Sequence, residues 1–281
     1  MLGAYTECFI VLWSDVLLIS AEFRTLGDAG WLTPQMVYEP TVMSSDLTRH
    51  LVYAVGDIHG MDDLLADMIV AIDADAAAWG LPATIIFLGD VVNRGRKTRQ
   101  VIERLMAGPQ RADHRWIVLR GNHEQVMLDA VTRDLRFKRW LKIGGRAALE
   151  SYGGTRRDET PEGACRLIDP SHLVFLAGLP LTHVQDGHLF VHAGVHPGVP
   201  LDRQDAETLL TIRGRFLNQP HGLPYTVVHG HTPTNGAPLM GPGRIGVDTG
   251  AYFTGVLTAV VIGPGPGKRR FLSVEARDMP A

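Results

Sequence analysis

The segment Leu51–Gly60 reads LVYAVGDIHG, in which five apolar residues run directly into a glycine-led motif that carries an aspartate and a histidine. Short apolar runs rich in Val and Ile are typical of buried strands. The pattern returns at Thr84–Leu88 (TIIFL), which leads into GDVVNRG, and at Trp116–Leu119 (WIVL), which leads into GNHE. The sequence therefore predicts buried strands that each end in a polar loop.

Between these strands, apolar residues recur at the spacing of amphipathic helices, over Asp62–Trp79 and Lys97–Met106. An alternation of strand and helix predicts a parallel sheet, and ligands of such sheets gather where strands end in loops at their carboxyl edge. We interpret Glu124–Leu149 as two further helices, which are interrupted around Arg133–Phe137 and ended by a turn at Gly144–Gly145.

The second half of the chain changes from this alternation to closely spaced strands. Such a run predicts a second, mixed sheet stacked on the first, with helices on the outside. A helix is predicted at Gln204–Ile212, and the Gly- and Pro-rich stretch Gly263–Gly267 is expected to turn the last hairpin. The predicted strands are Leu189–His192, Thr226–His229, Arg244–Val247, Gly255–Ile262 and Phe271–Val274.

Composition limits the class of protein. The chain has 281 residues, of which 45% are hydrophobic, and this content can form the core of one large domain. A formal net charge of −3 supplies no basic field for nucleic acid, so neither a nucleic-acid nor a membrane partner is expected. Cys8 and Cys165 are too few for a disulfide framework, which favours a reducing, cytoplasmic location.

Residues 1–48 are predicted to form an N-terminal extension to a single domain at residues 49–281. Phe9–Leu18 is apolar, but it is shorter than the roughly 20 residues of a membrane span and lacks the basic start of a secretory signal. Three interpretations stay open: a loosely docked extension, an additional strand or helix, or a start codon assigned too early, with Met36 or Met43 as the true start.

Several side chains in and after the glycine-led motifs have the chemistry of ligands for divalent metal ions. Imidazole nitrogens combined with carboxylate and amide oxygens suit ions of intermediate hardness. Asp57 and His59 can reach one ion, and Asp90 can bridge two ions that lie about 3.5–4 Å apart, as in two-metal hydrolytic sites. The expected ligands are Asp57, His59 and Asp90 for the first ion, and Asp90, Asn122, His192 and His231 for the second.

Each motif by itself has a simpler structural explanation. A DxH pair after a strand more often caps a helix and lines a polar loop, and GNHE can be a turn followed by a capped helix. A histidine at the end of a strand is usually solvated or hydrogen-bonded. The presence of all the segments in this order favours a metal centre. His229 is the nearest competitor to His231, from which it is two residues away.

These motifs resemble the phosphoprotein phosphatase branch of the calcineurin-like metallophosphoesterases, from Leu51 to the C-terminus. Three longer stretches are similar to bacterial members of that branch: Trp140–Gly154, His192–Phe216 and Val247–Ile262. The resemblance implies an α/β fold in which two mixed β-sheets pack as a sandwich flanked by helices. It also implies an enzyme with two divalent metal ions, Mn²⁺ or an Fe/Zn pair, which hydrolyses phosphomonoesters by a metal-activated hydroxide.

The expected substrates are phosphoserine and phosphothreonine in proteins, or small phosphoesters. The resemblance assigns Arg94 and Arg213 to the phosphoryl group, with Arg215 as the alternative to Arg213. His123, which follows the ligand Asn122, is the candidate general acid for the leaving alkoxide.

One position departs from the pattern of the resembled family. The motif GDxxDRG usually has an aspartate that orients this histidine, and Asn93 stands in its place. The amide oxygen of Asn93 can still accept the ring N–H of His123, but it cannot stabilise the imidazolium, and an inverted amide would favour the wrong tautomer. We therefore predict reduced protein-phosphatase turnover or a lowered pH optimum.

The same departure supports an alternative function. The related symmetrical diadenosine tetraphosphatases also lack this aspartate, and a dinucleotide has a better leaving group, so hydrolysis of dinucleoside tetraphosphates is the second hypothesis. A third hypothesis, from a different class, is a scaffold that binds phosphoproteins with little turnover.

Overall fold

The computed structural model describes residues 50–133, 136–263 and 269–277 of the chain. The predicted extension at residues 1–48 lies outside the described residues, as does most of the turn of the last hairpin, at residues 264–268. The described residues form two mixed five-stranded sheets with helices packed against them, which confirms the predicted fold class.

The strands and α-helices of the described residues are numbered in chain order. The strands are β1 (Leu51–Val55), β2 (Ala83–Phe87), β3 (His114–Val118), β4 (Thr182–Gln185), β5 (His188–Val191), β6 (Thr226–His229), β7 (Leu239–Gly241), β8 (Arg244–Gly246), β9 (Val256–Ile262) and β10 (Arg269–Glu275). The helices are α1 (Asp62–Trp79), α2 (Thr98–Ala107), α3 (Asn122–Arg133), α4 (Phe137–Trp140), α5 (Arg146–Ser151), α6 (Pro161–Leu167), α7 (Pro170–Gly178), α8 (Ala206–Thr211), α9 (Gly214–Asn218) and α10 (Ala251–Thr254).

The first sheet has three parallel strands on one side and an antiparallel hairpin on the other, whereas the second has parallel strands at its centre and an antiparallel strand at each margin. The first sheet has the order β10-β9-β1-β2-β3, in which β1, β2 and β3 run parallel. The second has the order β4-β5-β6-β8-β7, in which β5, β6 and β8 run parallel. The parallel strands of both sheets therefore end in loops at a carboxyl edge, where ligands of α/β proteins bind.

The assignment of the last two strands to the second sheet was wrong. β9 pairs antiparallel with β1, with Val52 opposite Ile262 and Val55 opposite Ala259, and β10 pairs with β9. Alternate residues of β9 are buried in two different cores, because a strand inside a sandwich presents side chains to both faces of its sheet. The hairpin formed by β9 and β10 agrees with the prediction.

An apolar core lies between the two sheets. Alternation along β1 sends Tyr53 and Val55 toward the helices and Val52 and Ala54 toward the second sheet. This core consists of Val52, Ala54, Ile86, Leu88, Leu119, Phe190, Val228, Ile245, Val247, Val260 and Ile262.

A break lies at Gly144 and Gly145, where a turn was predicted, but it does not end the helical region. The chain kinks at Gly144, whose backbone angles are non-helical, and α5 follows directly. Gly144 has a φ of 115°, and its carbonyl accepts a hydrogen bond from the backbone N–H of Arg94 at 3.2 Å. A Cβ at Gly144 would lie 2.3 Å from that nitrogen, and one at Gly145 would lie 2.5 Å from the Trp140 ring. The two glycines let this helical segment pack against the loop GDVVNRG.

Within the described ranges, no helix combines the length and the hydropathy that crossing a bilayer requires.

Candidate active site

The loops after parallel strands of the two sheets contact each other. The backbone N–H of His231, after β6, donates to the carboxylate of Asp57, after β1, at 3.1 and 3.2 Å. The structure brings the six predicted ligands together from the loops after β1 (Asp57, His59), β2 (Asp90), β3 (Asn122), β5 (His192) and β6 (His231).

The first sheet supplies one group of donor atoms. His59 Nε2 lies 4.0 Å from Asp57 Oδ2 and 3.7 Å from Asp90 Oδ2. His59 Nδ1 lies 3.1 Å from the carbonyl oxygen of Val92, where only a protonated nitrogen can form a hydrogen bond. The proton of the neutral ring is therefore on Nδ1, and the lone pair of Nε2 faces the carboxylates.

A second group joins Asp90 to residues of the second sheet. His192 Nε2 lies 3.3 Å from Asp90 Oδ1, 3.0 Å from Asn122 Oδ1 and 3.2 Å from His231 Nδ1. His192 Nδ1 lies 3.0 Å from the carbonyl oxygen of Leu88, so the proton of this ring also points away from the centre.

These donor atoms fit divalent metal ions. An imidazole lone pair and a carboxylate oxygen repel each other at such distances unless a cation lies between them. A ring whose other nitrogen donates to a backbone carbonyl is the usual arrangement of a metal-ligating histidine. Two groups of donors, each with all its atoms within 4.8 Å, share Asp90: one contains His59 and His123, the other His192 and His231.

The first of these groups contains His123 where Asp57 was predicted. The Arg94 guanidinium Nη2 lies 3.4 Å from His123 Nε2, and a cation at this distance disfavours a metal ion on the same nitrogen. Asp57, by contrast, is a buried carboxylate that lies 4.0 Å from His59 Nε2, and its oxygens accept the backbone N–H of His231 and interact with Asp248. We therefore retain Asp57 as the proposed ligand.

Burial opposes negative charge at the centre. Desolvation, together with the nearby carboxylates of Asp248 and Asp90, raises the pKa of Asp57 well above its usual value. Desolvation also raises the pKa of Asp90 to about 7, while it lowers the pKa of His192 to about 3. Metal ions bind carboxylates and neutral imidazoles, so a bound cation would favour the ionised carboxylates and leave the imidazoles neutral.

The backbone of the site is strained. His59, Asp90, Asn93, Arg94 and His231 have φ values between 48° and 69°, a region that residues other than glycine rarely adopt. Each such residue costs of order 1–3 kcal/mol and persists only where the surrounding contacts enforce it. Five of the eight described non-glycine residues with positive φ lie in these three loops, which supports a functional role for them.

Glu124, for which the sequence predicted no role, connects two of these loops. It is fully buried, and it reaches back to the N–H of Gly121 at 2.6 Å, as the glutamate of a capping box does. Its carboxylate also accepts the N–H groups of Asp90 at 2.8 Å, Val91 at 2.9 Å and Val92 at 3.2 Å. Glu124 therefore holds Asp90 beside the start of α3. The spacing of GNHE matches a capping box, and this is the sequence signal that could have predicted the role of Glu124.

Asp248 is a second residue that sequence reasoning missed. It follows β8, is 4% exposed and interacts with Asp57, while its Oδ1 accepts the N–H of Gly250 at 2.9 Å. Asp248 follows the parallel strand β8, as His231 follows β6, and this position could have predicted Asp248 as a site residue.

The two predicted phosphoryl-binding arginines contact residues of the centre. The guanidinium of Arg94 lies 4.2 Å from the ring centroid of Tyr252, and its Nη2 lies 3.4 Å from His123 Nε2. Arg213 Nε donates to His231 Nε2 at 3.0 Å, whereas Arg215 is exposed on α9.

Of the two orientations considered for the Asn93 amide, the structure has the inverted one. Trp140 Nε1 donates to Asn93 Oδ1 at 2.9 Å, and Asn93 Nδ2 lies 3.1 Å from His123 Nδ1. The amide therefore has the inverted orientation, because the indole N–H occupies its oxygen.

A sandwich of two mixed sheets, with buried carboxylates and imidazoles on the loops after its parallel strands, is the architecture of a metal-dependent phosphoesterase. The family model for calcineurin-like phosphoesterases matches residues 50–254, and the chain belongs to that family. This family implies divalent metal ions, which the donor set accommodates.

The chain is similar to two symmetrical bis(5'-nucleosyl)-tetraphosphatases. It is 36% identical over 145 residues to that of Janthinobacterium sp. (strain Marseille), across 52% of this chain and 44% of the relative. It is 30% identical over 152 residues to that of Bordetella pertussis, across 51% of this chain and 43% of the relative. The matches therefore span less than half of the length of these relatives.

Two solved structures share the fold. A crystal structure described as a candidate diadenosine tetraphosphatase has a TM-score of 0.57 and 25% identity, over 82% of this chain and 95% of that chain. A serine/threonine protein phosphatase of Saccharomyces cerevisiae has a TM-score of 0.54 and 16% identity, over 84% of this chain and 83% of that chain.

Proposed function

We propose that this phosphoesterase hydrolyses phosphomonoesters at a pair of divalent metal ions, Mn²⁺ being the first candidate. The observation that carries the proposal is the position of Asp90, whose Oδ2 lies 3.7 Å from His59 Nε2 and whose Oδ1 lies 3.3 Å from His192 Nε2. A carboxylate that faces two donor groups can join two cations. The proposed ligands are Asp57, His59, Asp90, Asn122, His192 and His231.

When bound, two such ions supply a nucleophilic water at neutral pH and stabilise charge on the phosphoryl oxygens. The residues of the chain hold the substrate. Arg94 and Arg213 are proposed to bind the phosphoryl oxygens, because guanidinium groups are planar, permanently charged donors. Tyr252 supports the Arg94 guanidinium from one face, and the Asp90 carboxylate is oriented by the backbone N–H of His123 at 2.8 Å.

A cleft of about 630 Å³ adjoins the site beside Arg94 and Tyr252. Its wall also contains the basic residues Arg96, Lys97 and Arg277, together with acidic residues at the start of α1. We propose that this cleft receives the part of the substrate beyond the phosphoryl group, since pockets of this size accommodate groups larger than phosphate.

One proposed class of substrate, implied by the sequence resemblance, is phosphoserine and phosphothreonine in proteins. A second candidate, a dinucleoside tetraphosphate, is favoured by two observations. The relatives compared above are named for that activity, and the amide of Asn93 turns its nitrogen rather than its oxygen toward His123.

The proposal is tested with the full chain, stripped of metal by a chelator and reconstituted separately with Mn²⁺, Mg²⁺, Zn²⁺ or Fe²⁺. The substrates are a phosphoserine peptide, p-nitrophenyl phosphate and diadenosine tetraphosphate. We expect turnover to vanish on chelation and to return with about two ions bound per chain. Turnover that survives chelation, or the absence of turnover with every ion and substrate, would contradict the proposal.

A further inference from the structure

Three buried side chains form a hydrogen-bonded row that ends at the metal centre. Trp140 Nε1 donates to Asn93 Oδ1 at 2.9 Å, and Asn93 Nδ2 lies 3.1 Å from His123 Nδ1. Trp140 and Asn93 are 0% exposed, and His123 is 3% exposed. The direction of each hydrogen bond in this row is therefore set by the protein groups that form it.

The indole N–H fixes the direction of the row. An indole nitrogen can only donate, so it must face the amide oxygen of Asn93. The nitrogen of the same amide lies 3.4 Å from the backbone carbonyl oxygen of His123, an acceptor, which requires the same orientation. Asn93 thus presents an N–H group to His123 Nδ1, and that ring nitrogen must accept with its lone pair.

The other ring nitrogen of His123 also faces a donor. Arg94 Nη2 lies 3.4 Å from His123 Nε2, while the Asp90 Oδ2 atom, at 3.9 Å, is beyond hydrogen-bond distance. An imidazolium carries a proton on both nitrogens and needs an acceptor for each. The contacts of this ring are those of a neutral imidazole.

A neutral ring cannot accept at both nitrogens at once. The contact with Asn93 is the shorter of the two, and the buried indole of Trp140 fixes it. The contact with Arg94 is the one that can change, because a long, flexible side chain carries the guanidinium that is proposed to bind the phosphoryl group. The ring proton is therefore on Nε2, which points toward the centre.

We propose that Trp140 and Asn93 are positioning residues that present an N–H donor to His123 Nδ1 and thereby place the ring proton on Nε2, so that His123 donates a hydrogen bond and not a proton. The inference rests on the proposed phosphohydrolase function. In the reaction, the P–O bond to water forms, and the water proton passes to solvent. The P–O bond to the leaving group breaks, and the leaving group departs with the electron pair as an anion.

This arrangement selects a class of substrate. General acid catalysis contributes about 10²–10⁴ in rate, and a poor leaving group such as a serine alkoxide depends on it most. A nucleoside phosphate or a phenolate is the anion of a much stronger acid and leaves without a proton. The site is therefore suited to phosphoanhydrides and aryl phosphates in preference to alkyl phosphates.

A series of aryl phosphates tests the need for an acid. The measured quantity is the slope of log kcat/KM against the pKa of the leaving phenol. We expect a steep slope for the unaltered chain. Asn93→Asp supplies an acceptor for Nδ1–H, so the slope should become shallower. The rate on a phosphoserine peptide relative to p-nitrophenyl phosphate should rise at least about tenfold. The control Asn218→Asp, the same change at an exposed position of α9, should leave the slope unchanged.

A second variant tests the role of the Trp140 indole N–H. Trp140→Phe keeps an aromatic ring beside Gly145 but removes the N–H, so the Asn93 amide becomes free to invert. We expect a slope between those of the unaltered chain and Asn93→Asp. Trp116→Phe, at a half-buried indole in β3, is the matched control and should leave the slope unchanged.

Nitrogen NMR of the histidine rings gives a readout that does not depend on turnover. In the metal-free chain and in the Zn²⁺-loaded chain, we expect His123 to show an unprotonated Nδ1 and a protonated Nε2. Its resonances are identified by their loss in His123→Gln. Asn93→Asp should shift Nδ1 toward the protonated position.

Two results would overturn the proposal: a protonated Nδ1 in the unaltered chain, or a shallow slope that becomes steep in His123→Gln. The second result would show that His123 gives a proton to the leaving group. A chain that turns over no substrate with any ion would instead contradict the proposed function. In that case the NMR measurement would still decide the state of His123.

Discussion

The two sheets contribute to the centre in different ways. The first sheet supplies Asp57, His59 and Asp90 within short, glycine-led motifs, each of which directly follows a strand. The second supplies His192 and His231 as single residues after strands that lie far apart in the sequence. The donor chemistry of the first half is visible locally, whereas the second half becomes a site only when the sandwich brings it to Asp90.

Each half also has its own buried charge that holds loops through backbone groups. Glu124 accepts N–H groups of the loops after β2 and β3. Arg244 in β8 donates to backbone carbonyls that follow Arg213, among them those of Phe216 and Gln219. In the first half a buried carboxyl group organises backbone N–H groups, and in the second half a buried guanidinium organises backbone carbonyl groups.

Removal of the shared residue should have the largest effect. Asp90→Asn weakens the ligand that both halves use, so we expect both ions to be lost and kcat/KM on p-nitrophenyl phosphate to fall at least about 10³-fold. Metal content per chain and turnover are the measurements. A variant that keeps two ions and full activity would contradict the bridging role.

Replacement of one ligand in each half should show whether the two ions bind independently. Asp57→Asn should lower the affinity of the first ion and His231→Ala that of the second, each with a loss of about 10²-fold in turnover. Titration of the metal-free variants with Zn²⁺, followed calorimetrically, measures the number of tight sites. Loss of both ions in each variant would show that the halves do not bind independently.

The two buried charges should have comparable effects on stability. Glu124→Gln and Arg244→Met each remove hydrogen bonds to several buried backbone groups, so we expect each to lower the free energy of unfolding by about 2–4 kcal/mol. Glu124→Gln should also weaken metal binding, whereas Arg244→Met should raise KM through Arg213. Thermal unfolding measures the first effect, and Glu103→Gln on exposed α2 is the control.

The pH dependence of stability should distinguish the carboxylates from the histidines. Burial raises the pKa of Asp90 from 3.8 to about 7 and that of Glu124 from 4.5 to about 8, so their contribution to stability is lost as pH rises through those values. Burial lowers the pKa of His123 and His192 from 6.5 to about 3, so their contribution is lost as pH falls below 6.5.

Between pH 7.5 and 8.5, histidines with pKa values of 6.5 or below are neutral in both the folded and the unfolded chain, so the effect of the carboxylates should dominate. We expect the metal-free chain to lose on the order of 1 kcal/mol of stability across this window. Urea unfolding at the two pH values measures the loss. The Mn²⁺-loaded chain should lose less, because the cations favour the ionised form, and an equal loss with and without metal would contradict the assignment.

The arginines should show the smallest effect. Arg94→Lys and Arg213→Lys keep the charge but replace the planar fork with a point charge, so we expect KM to rise about threefold to tenfold with little change in bound metal. Arg215→Lys is the matched control on α9. A larger effect of Arg215→Lys than of Arg213→Lys would reverse the assignment within the second half.

Elements with a strong local signal were predicted well. β1 and β6 have the predicted bounds, and α1 covers the predicted Asp62–Trp79, where Gly80 ends the helix in a left-handed conformation. The strands β4 and β7 were missed because they are margin strands without a buried apolar run. The starts of α6 and α7 were missed although Thr160 and Asp169, each followed by proline, are strong signals for a helix start.

The sequence by itself determined which donor atoms are available, because carboxylates, imidazoles and glycine-led turns carry their chemistry within a few residues. The tertiary structure decided how these groups face each other. It placed β9 and β10 in the first sheet, and it turned the amide of Asn93 by means of Trp140, which lies 47 residues further along the chain. The direction of a hydrogen bond depends on the group at its other end, and no local spacing encodes a partner at that distance.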